Sequence, residues 1–248
     1  MNKQEAVGFI ENRNWVGSAT SLDRMKELMA KLGDPQKKLR FIHVAGTNGK
    51  GSCCATLMAI LKAAGYKTGL FTSPHLIEYN ERFVIDGKDI SDEDFCLACD
   101  KVKEASGSLT FVPKVFEVLT AIAFVYFKQK KCDIVVLEVG MGGRLDATNV
   151  IDRSDLSIIM NIGLEHTEIL GDTLTKIAYE KAGIIKQDGE VIAYDNVPEV
   201  LDVFRKVAKE RNANLKIADF SKIKIVSEGA GTHFGFAVMR NPEIFTLR

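Results

Sequence analysis

The chain has 248 residues, of which 46% are hydrophobic and 27% are charged, and this is enough apolar material for one large or two small globular domains. Its 33 basic and 33 acidic side chains give a formal net charge of zero, which argues against a strong field for nucleic acid or for an anionic membrane. No apolar run approaches the roughly 20 residues that a membrane-spanning helix needs. From the charge balance and this absence together, we expect neither nucleic acid nor membrane as a partner.

The five cysteines are odd in number and lie mostly in apolar settings, with no secretory leader ahead of them. This usage fits a reducing compartment, so we expect a cytoplasmic protein without disulfides. Cys96 and Cys99 have the C-x-x-C spacing, but they lie within an amphipathic helical pattern and there is no second pair. Buried small side chains are therefore expected there rather than a metal or redox site.

The first 38 residues are interpreted as N-terminal helices. Ser21 is a candidate cap for a helix through Leu32, with Gly33 and Pro35 as the stop. From residue 39 to 219, strand and helix patterns alternate: strands are predicted at 39–45, 67–71, 133–138, 155–160, 190–194 and 214–218, and helices at 51–64, 92–105, 114–129, 173–183 and 197–211. The alternation predicts an α/β fold, a mainly parallel sheet with helices on both faces.

Two features interrupt the alternation. Residues 83–90 resemble a small hairpin around Asp86-Gly87, which is either an arm or part of the core. Beyond residue 219 the pattern changes to short strands at 223–226 and 234–238, which predicts a small β extension over 220–248.

The segment Gly46-Thr47-Asn48-Gly49-Lys50-Gly51-Ser52 follows an apolar strand pattern and precedes a predicted helix. Glycines let backbone N–H groups approach an anion, Lys50 supplies positive charge, and the helix N-terminus adds its dipole. Strict G-x-x-x-x-G-K-[ST] would need a glycine in place of Val44 and a hydroxyl in place of Gly51. The segment predicts a nucleotide triphosphate site in which Ser52 offers a hydroxyl to magnesium, and the alternative is a glycine turn that only caps the helix.

Polar residues follow several other predicted strands. Glu138 ends one strand and precedes a glycine-rich loop, and the clusters Thr72-Ser73-Pro74-His75 and Glu165-His166-Thr167 also follow strand-like runs. In open α/β sheets, ligands bind outside the carboxyl ends of the strands. Glu138 is therefore a candidate to hold magnesium directly or through water, and His166 is a candidate metal ligand or orienter of the metal site.

Other polar side chains permit two interpretations. Glu117 and Thr120 interrupt an otherwise apolar helix, where they either form a structural pair or face a ligand. His43 and His75 fit the role of hydrogen-bonded structural histidines more readily than that of ligands. Lys181 lies at a helix end, where a solvated lysine that offsets the helix dipole is the default.

Six motifs occur in a fixed order, at residues 43–52, 72–76 with 81–82, 116–117, 137–149, 166–167 and 180–184. In that order they closely resemble the folylpolyglutamate synthase/dihydrofolate synthase family of the Mur-ligase superfamily. The resemblance extends from about Ser21 to the end of the chain. It implies a P-loop NTPase-like Mur-ligase central domain over 1–248, with the C-terminal ligase domain of the longer family members absent.

The resemblance implies ATP- and Mg²⁺-dependent addition of L-glutamate to folate, which gives tetrahydrofolyl-polyglutamate, or to dihydropteroate, which gives dihydrofolate. A substrate carboxylate takes the γ-phosphate, and the amine of glutamate attacks the resulting acyl phosphate. Another Mur-type amino-acid ligase is the alternative enzyme, and a non-catalytic ATP-binding module is the alternative outside the enzymes. We also expect a monomer whose partner is the C-terminal domain of the same enzyme, and little turnover by this chain alone.

The resemblance also assigns residue roles. Residues 46–52 would hold the phosphates, and the groups that act on them would be Lys50, Glu138, His166 and Lys181. Besides Ser52, the residues that resemble magnesium ligands are Ser73, Glu138 and His166, and Lys181 resembles the lysine that family members carbamylate to face a second metal. The folate pocket would be formed by Ser73, Pro74, His75, Arg82, Phe116 and Asp146. Phe116 either stacks on the pterin ring or belongs to the core.

Overall fold

A mixed sheet of eight strands forms the centre of the fold. The structure, a computed structural model, describes residues 1–14 and 21–219 and, after these, the backbone of three short strands. The strands of the large sheet are β1 (Phe41–Ala45), β2 (Thr68–Phe71), β3 (Phe83–Ile85), β4 (Lys88–Asp89), β5 (Ile134–Glu138), β6 (Leu156–Ile159), β7 (Glu190–Ala193) and β8 (Asn214–Ile217). Their order is β4-β3-β2-β5-β1-β6-β7-β8, and β2, β5, β1, β6 and β7 pair in parallel. The predicted α/β class with a mainly parallel sheet is confirmed.

Helices connect these strands at close to the predicted positions. They are α1 (Lys3–Glu11), α2 (Asp23–Lys31), α3 (Lys50–Ala63), α4 (Asp92–Ser106), α5 (Val115–Gln129), α6 (Thr167–Leu170), α7 (Leu174–Ala182) and α8 (Pro198–Glu210). Before α2, the Ser21 hydroxyl accepts a hydrogen bond from the Asp23 N–H over 3.3 Å. Within the described residues, no helix combines the length and the apolar character that crossing a bilayer requires.

The two faces of the sheet carry separate apolar clusters, because successive residues of a strand point to opposite faces. On one face, Phe41 of β1 and Val135 of β5 pack in a cluster with side chains of α1, α2, α4 and α5. On the other face, Ile42 and Val136 pack against Cys54 and its neighbours on α3. Helices therefore cover both faces, as the apolar strand patterns predict.

The edge of the sheet settles the role of the predicted hairpin. β3 pairs antiparallel with β2, and β4 pairs antiparallel with β3, so the hairpin extends the sheet at its edge. Phe83 is fully buried in the larger apolar cluster. The interpretation of residues 83–90 as an arm is therefore wrong, because an apolar strand face beside β2 gains more burial within the sheet than outside it.

The chain divides into two compact units, Met1–Lys216 and Ile217–Arg248. The smaller unit contains β9 (Ile223–Ser227), β10 (His233–Phe236) and β11 (Phe245–Thr246), which form an antiparallel sheet with β10 in the middle. β9 and β10 overlap the two strands predicted at 223–226 and 234–238, and residues 237–238 of the second prediction lie outside the described residues.

Burial of α5 generates a stability prediction. Phe124 is fully buried, and its ring meets that of Phe41 edge-on with centroids 5.5 Å apart. Phe124→Ala should lower the free energy of unfolding by about 3–5 kcal/mol, because it leaves a cavity between α5 and the sheet. Urea denaturation measures this change. Ile60→Ala on α3, where the side chain is 56% exposed, is the control and should change stability by no more than about 0.5 kcal/mol; equal losses in both variants would contradict the assignment of α5 to the core.

Candidate active site

The loop between β1 and α3 is the predicted phosphate site. Gly46 and Gly49 have φ angles of 147° and 81°, in the range that favours glycine. A Cβ atom at Gly46 would lie 2.5 Å from the Cβ of Met160, the residue after β6. The Thr47 N–H donates to the Asn161 carbonyl oxygen over 2.9 Å. The loop is therefore held tightly against the carboxyl end of β6, in a conformation that favours glycine at both positions and leaves no room for a Cβ atom at Gly46.

The start of α3 combines the Lys50 ammonium with first-turn N–H groups that no capping side chain accepts. Its N-cap, Gly49, has no side chain to accept hydrogen bonds from the first turn. The Lys50 ammonium donates to the carbonyl oxygens of Gly46 and Thr47 over 2.9 and 3.2 Å. A 14-residue helix concentrates partial positive charge at this end. Together the loop, the helix N-terminus and Lys50 are suited to bind a phosphate group.

Lys181, near the end of α7, is buried beside the same loop. Its side chain is 2% exposed, and its ammonium donates to the Gly46 carbonyl oxygen over 2.9 Å and to the Glu165 carboxylate. Burial lowers the pKa of Lys181, the Glu165 carboxylate opposes that shift, and the Lys50 ammonium adds to it. The default interpretation of a solvated helix-terminal lysine is therefore wrong, because the helix end packs against the loop.

Glu138 lies between this loop and the segment after β2. It is 4% exposed at the end of β5, and its carboxylate accepts the Ser73 N–H over 3.0 Å. A Cβ at Gly51 would be 4.0 Å from one of its oxygens. Burial raises the pKa of Glu138, whereas the Ser73 N–H and the Lys50 ammonium lower it. The carboxylate thus lies at the start of α3, where the carboxyl ends of β1, β2 and β5 meet.

A cavity of about 580 Å³ opens at this edge of the sheet. Its volume suits a small organic ligand. Seven of the predicted site residues line it, namely Lys50, Ser73, Pro74, Arg82, Phe116, Asp146 and His166. The structure therefore brings one end of the phosphate loop and most of the predicted folate pocket to a single cavity.

Phe116 forms a wall of the cavity and also touches the core. Its ring centroid is 5.9 Å from that of Phe71, and the residue packs against the larger apolar cluster. A Cβ at Gly140 would lie 2.5 Å from the Cζ of Phe116. The two interpretations of Phe116 are both compatible with its position, since the ring packs on the core and lines the cavity.

Arg82 is a buried cation on the cavity wall. It is 4% exposed, and its Nε–H donates to Nδ1 of His75 over 2.8 Å. His75 is outside the set of described residues that line the cavity, and its ring packs edge-on against Tyr79. His75 therefore orients Arg82, whose guanidinium can meet an anionic group in the cavity.

Asp146 lies in the glycine-rich loop after β5. Its carboxylate accepts the Thr148 N–H and the Met141 N–H, each over 3.0 Å, and the Thr148 hydroxyl over 2.5 Å. Burial raises the pKa of Asp146, and these donors lower it. A Cβ at Gly143 would lie 2.8 Å from the Glu180 carbonyl oxygen. Glycine thus lets the loop pack directly on α7, which brings Asp146 and Lys181 to the same region.

The remaining cavity walls were not predicted from sequence, except that a ligand-facing position was one of the two interpretations of Glu117. They include Ser21, Leu22 and Met25 before and within α2, and Lys114 and Glu117 at the start of α5. The Glu117 carboxylate accepts the Lys114 N–H over 2.7 Å and meets Arg24 at 3.4 Å. The polar interruption of the α5 pattern was the available signal for Glu117. Within the described residues, no group of three or more His, Cys, Asp and Glu side chains is arranged to hold a metal by itself.

A family model described as the Mur ligase middle domain matches residues 44–230 of the chain. The dihydrofolate synthase/folylpolyglutamate synthase of Bacillus subtilis is 45% identical over 215 residues, which are 85% of this chain and 50% of that protein. The folylpolyglutamate synthase of Lacticaseibacillus casei is 37% identical over 243 residues, 95% of this chain and 56% of that protein. The chain spans about half the length of the curated relatives it matches.

Solved structures of similar proteins agree with the fold. One described as an FPGS-AMPPCP-folate complex has a TM-score of 0.90 and 35% identity, and it covers 96% of this chain and 60% of the other. Another, E. coli FolC in complex with DHPP and ADP, has a TM-score of 0.84 and 34% identity, and it covers 98% of this chain and 58% of the other.

The contact between Gly140 and Phe116 is testable by mutation. Gly140→Ala should lower the free energy of unfolding by about 1–3 kcal/mol, because the added methyl group overlaps the Phe116 ring. Gly8→Ala in α1, where an added Cβ atom would have no neighbouring side chain within 4 Å, is the matched control and should cause no loss. In a Phe116→Ala background the cost of Gly140→Ala should largely disappear. An equal cost in both backgrounds, measured by urea denaturation, would show that the ring is not the obstacle.

Proposed function

The chain belongs to the Mur ligase middle domain family, and from that premise we propose that it provides the ATP-binding and folate-binding site of a glutamate ligase. The enzyme joins L-glutamate to folate or to dihydropteroate through an acyl phosphate. The relatives named folylpolyglutamate synthase and dihydrofolate synthase support this choice of substrates, as do the solved neighbours described with folate and AMPPCP or with DHPP and ADP.

The observation that carries the proposal is one cavity with two chemically different ends. Lys50 of the phosphate loop lines this cavity together with Arg82, Phe116 and Asp146; we propose that the lysine and these three residues form its two ends. Phosphoryl transfer to a carboxylate requires the γ-phosphate and the acceptor in one place, with little covalent chemistry by the protein. A cavity of this kind lets an aromatic acid extend its carboxylate toward the phosphate loop.

At the phosphate end, the protein acts by positioning and by neutralising charge. The N–H groups of residues 49–52 and the dipole of α3 bind the phosphates, and the Lys50 ammonium neutralises the charge of the transferred group. The carbonyl oxygens of Gly46 and Thr47, which accept the Lys50 ammonium, keep that side chain beside the loop. Lys50 is therefore close enough to the loop to pair with a phosphate bound there.

The residues present fit a magnesium ion whose coordination is completed by phosphate oxygens of the nucleotide. Mg²⁺ is commonly held by one or two carboxylates together with substrate phosphates and water. Glu138 supplies a buried carboxylate at the start of α3, and the hydroxyl groups of Ser52 and Ser73 and the imidazole of His166 are the further candidate ligands. When bound, the ion neutralises charge that develops on the phosphoryl group.

The other end of the cavity is proposed to bind the folate substrate. The Phe116 ring offers an aromatic face for stacking on the pterin, and the Asp146 carboxylate accepts N–H groups from the edge of that ring. Pro74 forms part of the same wall. Arg82, oriented by His75, pairs with a carboxylate of the substrate.

The proposed reaction is testable through its acyl-phosphate step. With ATP, dihydropteroate and hydroxylamine, the chain should slowly form dihydropteroyl hydroxamate, ADP and inorganic phosphate, because hydroxylamine replaces the amine of glutamate and displaces phosphate from the acyl phosphate. Lys50→Ala should slow this step by about a hundredfold, because it removes a positive charge from the phosphate site. Lys62→Ala, at the other end of α3, is the control and should leave the rate unchanged. Nucleotide binding without any hydroxamate would instead favour a non-catalytic ATP-binding module.

Lys181 is proposed to react with CO₂ to form a carbamate. Burial lowers the pKa of its ammonium, so a larger fraction of neutral amine is available near neutral pH than for an exposed lysine. The amine adds to CO₂ and releases one proton. The Lys181 side chain thereby changes from a cation beside the loop to an anion that can face a metal ion.

Carbon NMR in ¹³C-labelled bicarbonate tests the carbamate directly. The chain should show one carbamate resonance, which Lys181→Met should abolish. Lys176→Met changes an exposed lysine on the same helix, where the side chain is 62% exposed, and should leave the resonance intact. A spectrum with no carbamate resonance, or one that persists in Lys181→Met, would exclude this modification of Lys181.

A further inference from the structure

A buried chain of hydrogen bonds connects the sheet to the cavity wall. His43 lies in β1 and is fully buried. Its Nε2 is 2.9 Å from the Thr148 hydroxyl oxygen, and that oxygen is 2.5 Å from Oδ1 of Asp146. Asp146 lines the cavity. The proposed function gives His43 and Thr148 no role, although they lie directly behind a proposed substrate contact.

The single hydroxyl proton of Thr148 limits this chain to two arrangements. In the first, Asp146 is a carboxylate, Thr148 donates to it, and the Nε2–H of His43 donates to Thr148. In the second, Asp146 is a carboxylic acid that donates to Thr148, and Thr148 donates to a bare Nε2. The second arrangement contains one more proton, and it places the N–H of the neutral imidazole at Nδ1.

The surroundings of the two end groups favour the first arrangement. Asp146 also accepts the N–H groups of Met141 and Thr148, which stabilise a carboxylate. At the other end, Nδ1 of His43 is a buried atom without a hydrogen-bond partner in the part of the chain that the structure describes. A bare nitrogen tolerates that position better than an N–H group, because buried donors without acceptors are the rarer and costlier case.

Lys186 acts on the same turn from the other side. Its ammonium donates to Oδ1 of Asn149 over 2.7 Å and to the Ile151 carbonyl oxygen. The Asn149 amide in turn donates to the carbonyl oxygens of Arg144 and Gly183, each over 3.1 Å. The segment that carries Asp146 is therefore clamped on both sides. Burial lowers the pKa of His43, and the nearby Lys186 ammonium lowers it further, so the imidazole is kept neutral.

We propose that His43 is a positioning residue for substrate recognition. As a neutral imidazole with its proton on Nε2, it directs the Thr148 hydroxyl toward Asp146 and so keeps Asp146 an oriented anion. The cavity then presents the Asp146 carboxylate as an acceptor for N–H groups. The edge of an amino-substituted fused heteroaromatic ring carries such N–H groups. The identity of that ring as a pterin rests on the proposed function, whereas the state of His43 does not.

Nitrogen NMR of ¹⁵N-histidine-labelled protein tests the state of His43 without any ligand. The resonances of His43, identified by their loss in His43→Gln, should show a protonated Nε2 and an unprotonated Nδ1 at neutral pH. Thr148→Val should shift the Nε2 resonance, because it removes the acceptor. A proton on Nδ1, or an imidazolium, would overturn the proposal; the tautomer is read from the unmodified chain, and the His43→Gln variant serves only to assign the resonances.

Binding of pteroate tests the consequence for recognition. His43→Leu should weaken pteroate binding by about tenfold, because Thr148 is no longer directed to the charged acceptor. His43→Gln, whose amide offers an N–H in place of Nε2–H, should restore the affinity to within about threefold of the unmodified chain. Thr148→Val should resemble His43→Leu, and Thr148→Ser should resemble the unmodified chain. Affinity for a non-hydrolysable ATP analogue should stay constant throughout.

The outcomes separate this inference from the proposed function. Equal pteroate affinity in His43→Leu, His43→Gln and the unmodified chain would contradict the positioning role. A parallel loss of affinity for the ATP analogue would reduce His43 to a general structural residue. Failure of the unmodified chain to bind pteroate would contradict the proposed ligand, and the NMR result would still decide the state of His43.

Discussion

The site depends on one constraint: the carboxyl ends of four parallel strands lie side by side at the same end of the sheet. β2, β5, β1 and β6 are neighbours, so the segments that follow them emerge side by side. Ser73 follows β2, Glu138 ends β5, and Lys50 begins the helix after β1. Another strand order would keep each motif intact and yet separate the phosphate loop from its carboxylate. The chemistry is thus a property of the topology as much as of the motifs.

Close approach of backbone segments is the second requirement, and glycine provides it. Gly46 lets the phosphate loop pass against the end of β6, and Gly140 leaves space for the Phe116 ring. Gly183 lies so close to Arg144 that no other residue fits without movement. These contacts hold the loop after β5 against α7, and they bring Asp146 and Lys181 into one region. Burial then changes the pKa of both groups away from their ordinary values.

The sequence predicted local structure well, because strand and helix periodicities reflect which faces are buried. It also predicted the meeting of residues after parallel strands. Contacts between distant segments had no comparable signal: Glu165 beside Lys181 and Thr148 beside His43 depend on the packing of whole elements. The hairpin at 83–90 was ambiguous for the same reason, since an apolar strand face does not reveal its neighbour. Only the family resemblance indicated a role for Lys181 in the site. Its position at a helix end predicts a solvated lysine at the surface.

A crystal structure with a non-hydrolysable ATP analogue, Mg²⁺ and dihydropteroate tests the central claim, that one cavity holds both reacting groups. We expect the phosphates on residues 46–52, the metal ion on Glu138, and the pterin ring between Phe116 and Asp146, with the benzoate carboxylate of dihydropteroate directed toward the phosphates. A pterin ring bound outside this cavity, or a nucleotide whose phosphates lie away from the loop, would contradict it.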